Sequence, residues 1–290
     1  MKPQRLLLAP VLALVTLLSS GCERVFFGFI NRGVPQPDTS VVYAPDRALS
    51  LDIYRPRGGS HAHSAPTVVF FYGGAWKRGS RAQYRFVGER LAGNGILTIV
   101  ADYRTYPAAG FPAFMDDAAD AVAWARAHAG EYGGDPKRLF LAGHSAGAQI
   151  AALLGTDAHY LSQRGIKPAQ LAGVIGLSGP YNFNVGTEYA PIFGPPSQWP
   201  KAQAVNYVDG DEPPFLLIQG EADRTVRVRN STELAEKLRA VHVPVTLRLL
   251  PDAGHTTTLT GLYAPDRVPQ VLPAILAFID MPSSSNQVLP

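Results

Sequence analysis

The sequence predicts an α/β protein with a mainly parallel central sheet and helices on both faces. From residue 49 onward, short apolar runs alternate with helical stretches, the rhythm of βα units. The runs lack polar alternation, as strands buried on both faces require. One turn, Gly143-His144-Ser145-Ala146-Gly147, lies between such a run and a helix start.

Leu49-Ser50-Leu51-Asp52-Ile53-Tyr54 alternates with period two and predicts an early, half-buried strand. Continuous apolar runs at 67–72, 96–101, 138–142, 171–177, 215–218 and 245–250 predict the rest of the sheet. Helices are expected over 114–128, 146–154, 230–240 and 269–279. Residues 181–214 break the rhythm with Pro, Gly and aromatics, which marks a cap-like insertion. At 290 residues and 46% hydrophobic, the chain can bury one sizeable core.

The first 21 residues resemble a signal peptide. Lys2 and Arg5 form a basic start, residues 6–18 are apolar but short for a span, and Ser19-Ser20-Gly21 precede Cys22. That ending resembles a bacterial lipobox, which implies lipidation of Cys22 and an anchored protein facing the periplasm or exterior. Ordinary secretion is the rival, because Ser19 and Gly21 also fit a small-x-small cleavage site. Ser19 stands where a lipobox more often has leucine. Residues 22–48 are expected to be a tether or lid, 49–281 the catalytic domain, and 282–290 a loose tail.

Removing Lys2 and Arg5 from the 26 basic residues leaves 24 against 23 acidic ones. No basic stripe with interleaved aromatics is present, so nucleic acid is not an expected partner. The single cysteine excludes an internal disulfide. His61 and His63 share a polar loop without a third ligand, so no metal and no organic cofactor are expected.

The Gly143–Gly147 turn fits a nucleophile elbow with Ser145 at its tip. A serine hydroxyl needs a base, and the base needs an orienting acid. His255, in a loop past the last strand, is the best base. Asp223, after the strand at 215–218, is the expected acid, with Glu221 as its rival and Asp252 as a turn residue. All three chosen residues fall at carboxyl ends of strands, where open α/β sheets place their sites. The loop Tyr72-Gly73-Gly74-Ala75-Trp76, together with the Ala146 amide, offers donors for an oxyanion, each worth about 3 kcal/mol. Tyr72, Trp76, His144 and Tyr181 are expected around the substrate, His144 pointing away from the nucleophile. Phe183, Phe193 and Trp199 add to an aromatic pocket suited to a small or medium acyl or aryl ester.

Together these motifs resemble the esterase/lipase branch of the α/β-hydrolase fold. They are most similar to isoprenylcysteine methylesterase-like carboxylesterases and next to kynurenine formamidase-like enzymes. The resemblance rests on Tyr72-Gly73-Gly74-Ala75-Trp76, Ala101-Asp102-Tyr103-Arg104, Glu131-Tyr132-Gly133-Gly134-Asp135-Pro136 and the elbow. It implies Ser145, Asp223 and His255 as a triad, Gly74, Ala75 and Ala146 as oxyanion donors, and Asp117 as a structural acid. Two departures stand out: Tyr72 replaces the usual histidine, and Ala75 replaces a third glycine. The implied activity is ester hydrolysis through an acyl-enzyme. The alternatives are an arylformamidase-type amide hydrolase and a non-catalytic binding lipoprotein.

Overall fold

The computed structural model describes residues 25–58 and 64–281. The expected signal peptide, Cys22, His61, His63 and the tail at 282–290 lie outside the described residues. Among those described, no helix is long and apolar enough to cross a membrane.

Eight strands form one sheet in the order β1-β2-β4-β3-β5-β6-β7-β8. They are β1 (Thr39–Ala44), β2 (Leu49–Tyr54), β3 (Ala65–Phe71), β4 (Leu97–Ala101), β5 (Gly134–His144), β6 (Gly173–Leu177), β7 (Phe215–Gly220) and β8 (Val245–Leu250). β1 and β2 run antiparallel to their neighbours, and the other pairs are parallel. β3, β4 and β6 are buried along their whole length, which explains their unbroken apolar runs.

The sheet begins earlier than expected. Residues 39–44, assigned by sequence to the tether or lid, form the edge strand β1 against β2. Half-burial of an edge strand gives a weak signal, and the prolines just upstream masked it.

From β3 the chain steps to β4 on one side and crosses to β5 on the other. The segments leaving β3 and β5 therefore diverge and open a crevice at the carboxyl edge of the sheet. The register levels that edge: Phe71 pairs with Gly143, His144 with Leu177, and Gly220 with Leu250.

The helices are α1 (Arg85–Ala92), α2 (Ala113–His128), α3 (Ala146–Thr156), α4 (Ala158–Ser162), α5 (Gly186–Phe193), α6 (Arg229–Ala240), α7 (Thr257–Tyr263) and α8 (Val271–Ile279). α3 is buried on every face, and its sequence AGAQIAALLGT has only Gln149 and Thr156 as polar residues. The insertion at 181–214 contains α5 and short 3₁₀ turns and lies over this region. Gln149 on α3 donates to the Ala202 carbonyl at 2.9 Å, and Phe193 meets the Trp76 ring edge-on at 4.9 Å.

Asp117 on α2 is completely buried and accepts from Arg47 Nη1 at 2.7 Å and from the backbone N–H, Nε and Nη2 of Arg104 at 2.8–3.0 Å. This acid ties the segment after β4 to α2 and to the β1–β2 turn.

Candidate active site

Ser145 sits between β5 and α3 with φ 54° and ψ −121°, a conformation L-residues avoid at a cost of about 1–3 kcal/mol. The flanking glycines make the turn feasible through close packing rather than unusual φ. A Cβ on Gly143 would lie 2.3 Å from the Gly147 carbonyl carbon, and one on Gly147 would lie 2.0 Å from the Phe71 oxygen. The Ser145 amide donates to the Leu177 carbonyl at 2.9 Å, and its own carbonyl accepts from Ala148 at 2.9 Å. The strand thus hands over directly to the helix, and the side chain stands at the crest.

His255 Nε2 lies 2.9 Å from Ser145 Oγ, and its Nδ1 lies 2.8 Å from Asp223 Oδ2. The carboxylate accepts at Nδ1–H, which leaves the Nε2 lone pair facing the hydroxyl. Asp223 Oδ1 also accepts the amides of Thr225 and Val226, at 2.8 and 2.9 Å, and Gln219 Nε2 donates to Oδ2 at 2.9 Å. Burial pushes the Asp223 carboxyl upward, but the His255 hydrogen bond and these amides outweigh it, so it lies below the usual carboxylate range. Gln219 is itself fixed by Ser231 Oγ at 3.1 Å. Sequence reasoning passed over Gln219; its only signal was a polar residue ending an apolar strand. Glu221, the rival acid, is exposed. Asp252 has φ 55°, as a turn residue would.

The loop after β3 turns back sharply, with φ of 137° at Gly74, 54° at Ala75 and 57° at Trp76. Glycine is required at 74, where a Cβ would come within 2.1 Å of the Arg78 oxygen. Ala75 holds its left-handed conformation at a cost of about 1–2 kcal/mol. The Gly73 amide donates to Tyr84 Oη at 3.1 Å, whereas those of Gly74 and Ala75 donate to no protein acceptor among the described residues. The Ala146 amide, first in α3, has no intrahelical acceptor.

The BD-FAE family model matches residues 51–238. The chain belongs to the BD-FAE family. Family membership fits the α/β-hydrolase carboxylesterase grouping that the motifs resemble. Esterase LipC of Mycobacterium tuberculosis is 33% identical over 236 residues, 74% of this chain and 58% of that protein. A probable isoprenylcysteine alpha-carbonyl methylesterase, ICME of Oryza sativa subsp. japonica, is 36% identical over 180 residues, 60% of this chain and 42% of that protein. The chain therefore spans about half the length of these curated relatives. The propionate-bound esterase Est2 of Thermogutta terrifontis superposes with a TM-score of 0.72 at 24% identity, covering 85% of this chain and 96% of that one, and so shares its fold.

In this BD-FAE chain two cavities flank Ser145. The first, about 270 Å³, is bordered by Phe26, Phe27, Tyr84, His144, His255 and Leu259. Phe26 and Phe27 come from the helical segment 25–30, anchored by ring contacts to Tyr263 at 6.1 Å and Tyr84 at 5.2 Å. The described end of the expected tether or lid is thus a wall of the site. The second cavity, about 230 Å³, is bordered by Trp76, Phe183 and Tyr189. Trp76 stacks on Phe183 at 5.2 Å and donates Nε1–H to Gln149 at 3.1 Å. A larger cavity of about 660 Å³ lies between the β8 end and α8 and borders neither Ser145 nor His255. Among the described residues, no group of three or more His, Cys, Asp or Glu could hold a metal ion.

Two residues expected around the substrate border neither cavity beside Ser145. Tyr181 is fully buried, its hydroxyl filling the space a Cβ at Gly176 would need, only 1.9 Å away. Tyr72 stacks on Tyr103 at 4.6 Å, and Tyr103 Oη donates to the Tyr72 carbonyl at 2.8 Å. It braces the glycine loop from beneath. Aromatic residues beside a site pack under it as readily as they line it, and sequence position does not separate these outcomes.

His144 lines the first cavity while remaining almost wholly buried. Its Nε2 lies 3.3 Å from the His255 carbonyl, and its Nδ1 lies 3.4 Å from Tyr84 Oη. These contacts join the Gly73 loop to the segment carrying His255. Burial, and secondarily the neighbouring His255, pushes the His144 imidazole down to about 3. The unfolded chain therefore binds a proton between about pH 3 and 6.5 that the folded chain refuses, so His144 costs stability as pH falls through that window. The stability advantage of wild type over His144→Gln should grow with pH across the window and level off above it, as urea unfolding would show. A difference that stays flat with pH would contradict the neutral, buried imidazole.

Proposed function

We propose that the protein hydrolyses carboxylic esters, with Ser145 as nucleophile, His255 as base and Asp223 as its orienting acid. The continuous contact from Asp223 Oδ2 through both His255 nitrogens to Ser145 Oγ, at 2.8 and 2.9 Å, carries the reading. His255 takes the Ser145 proton as Oγ attacks the acyl carbon, and the ionised Asp223 stabilises the resulting imidazolium. The oxyanion falls to the amides of Gly74, Ala75 and Ala146. His255 then protonates the departing alcohol and activates the water that releases the acid. The relatives named esterase LipC and probable carboxylic ester hydrolase LipM support this class of reaction.

A fluorophosphonate probe should label the folded protein on the peptide carrying Ser145, and Ser145→Ala should abolish the label. Folded wild type that resists the probe would rule the mechanism out. The expected export and anchoring form a separate proposal that rests on residues 1–22. Cys22→Ala should move the protein from the membrane to the soluble fraction, and unchanged fractionation would refute lipidation there.

A further inference from the structure

We infer that the substrate's acyl group carries a carboxylate, held by Arg227 and Arg229 at the rim of the Trp76 cavity. The inference rests on the ester-hydrolase reading above. The alcohol must receive its proton from His255 Nε2, and His255 borders only the first of the two cavities beside Ser145. The alcohol therefore occupies the first cavity, and the acyl group enters the second. That cavity has aromatic walls, Trp76, Phe183 and Tyr189, which favour a flat or aliphatic body.

Its rim is basic. Arg227 and Arg229 both border it and are both exposed, and no acidic residue borders either cavity beside Ser145. Among the described residues, neither guanidinium makes an ion pair or a side-chain hydrogen bond. Two nearby acids are engaged elsewhere: Glu188 on α5 with Lys77 at 3.4 Å, and Glu233, one turn along α6 from Arg229, with Asn182 at 2.8 Å. Two unpaired guanidiniums beyond apolar walls suit a body that enters dry and ends in a carboxylate, which arginine binds through paired N–H donors. A half-ester of a dicarboxylic acid is the substrate class with that shape.

A matched pair of chromogenic substrates tests this: mono-p-nitrophenyl glutarate and p-nitrophenyl valerate, whose acyl chains differ only in the terminal carboxylate. Wild type should prefer the glutarate half-ester in kcat/KM, and added salt should weaken the preference. Arg227→Gln and Arg229→Gln should each lower the glutarate-to-valerate ratio, by about tenfold for a lost charge-assisted hydrogen bond. A wild-type ratio at or below one, unchanged in both variants, would mean solvated arginines only and overturn the inference. Loss of hydrolysis of both esters together with failure of fluorophosphonate labelling would instead overturn the esterase reading beneath it.

Discussion

Ser145→Ala is expected to lower kcat on p-nitrophenyl butyrate by roughly five orders of magnitude while leaving the fold intact. On the esterase reading, the substitution removes the hydroxyl, 2.9 Å from His255 Nε2, that would form the acyl-enzyme, while the 1% exposure of Ala146 shows how firmly the backbone beneath is packed. His255→Ala should cost about as much, and the double variant little more, because the residues act as a unit. Asp223→Asn should cost about 10⁴, since an amide cannot hold the imidazole in the required tautomer. Steady-state assays, with circular dichroism as the fold control, decide the matter. Retention of more than about one per cent of wild-type turnover by Ser145→Ala would end the claim that it is the nucleophile.

Asp117→Ala should cause the largest loss of stability, about 3–5 kcal/mol. The Asp117 carboxylate is fully shielded and is the shared acceptor of Arg47 and Arg104. Removing it leaves the partly shielded Arg104 guanidinium without its counter-charge and takes from Arg47 its buried partner, leaving it Asp120 and Asp46. The loss should spread to the site, because Arg104 directly follows Tyr103, whose hydroxyl supports the Tyr72 carbonyl beneath the glycine loop. Asp117→Asn preserves the shape and some acceptor capacity and should lose less. Urea unfolding measures both; a shift below about 1 kcal/mol for the alanine variant would contradict this account.

Much of this was legible in the sequence because it follows from local rules. β2 and β8 occupy the residues their patterns indicated, and Ala146 begins α3 directly after the elbow. The sequence favours Asp223 over Glu221 because a loop must turn before it can reach across the sheet edge, and Asp223 is buried while Glu221 is exposed. What escaped depends on long-range packing. β1 alternates too weakly to stand out, and α1 and α7 carry no helix signal as plain as that of α2. Tyr72 and Tyr181 are expected at the substrate, whereas Tyr189, Arg227 and Arg229 border a cavity with no local signal in the sequence. Nothing local distinguishes a tyrosine that packs beneath a floor from one that forms a wall.

The first cavity is closed by residues far apart in the chain: Phe26 and Phe27 meet a wall that includes Leu259, with Tyr263 behind them. During synthesis the nucleophile turn would emerge well before the segment bearing its base, and the aromatic wall would wait longer still for its partner. Such long-range closures form late in folding. On the esterase reading, the reactive centre would then be assembled last, and a chain still being made would carry Ser145 as an ordinary, unreactive alcohol.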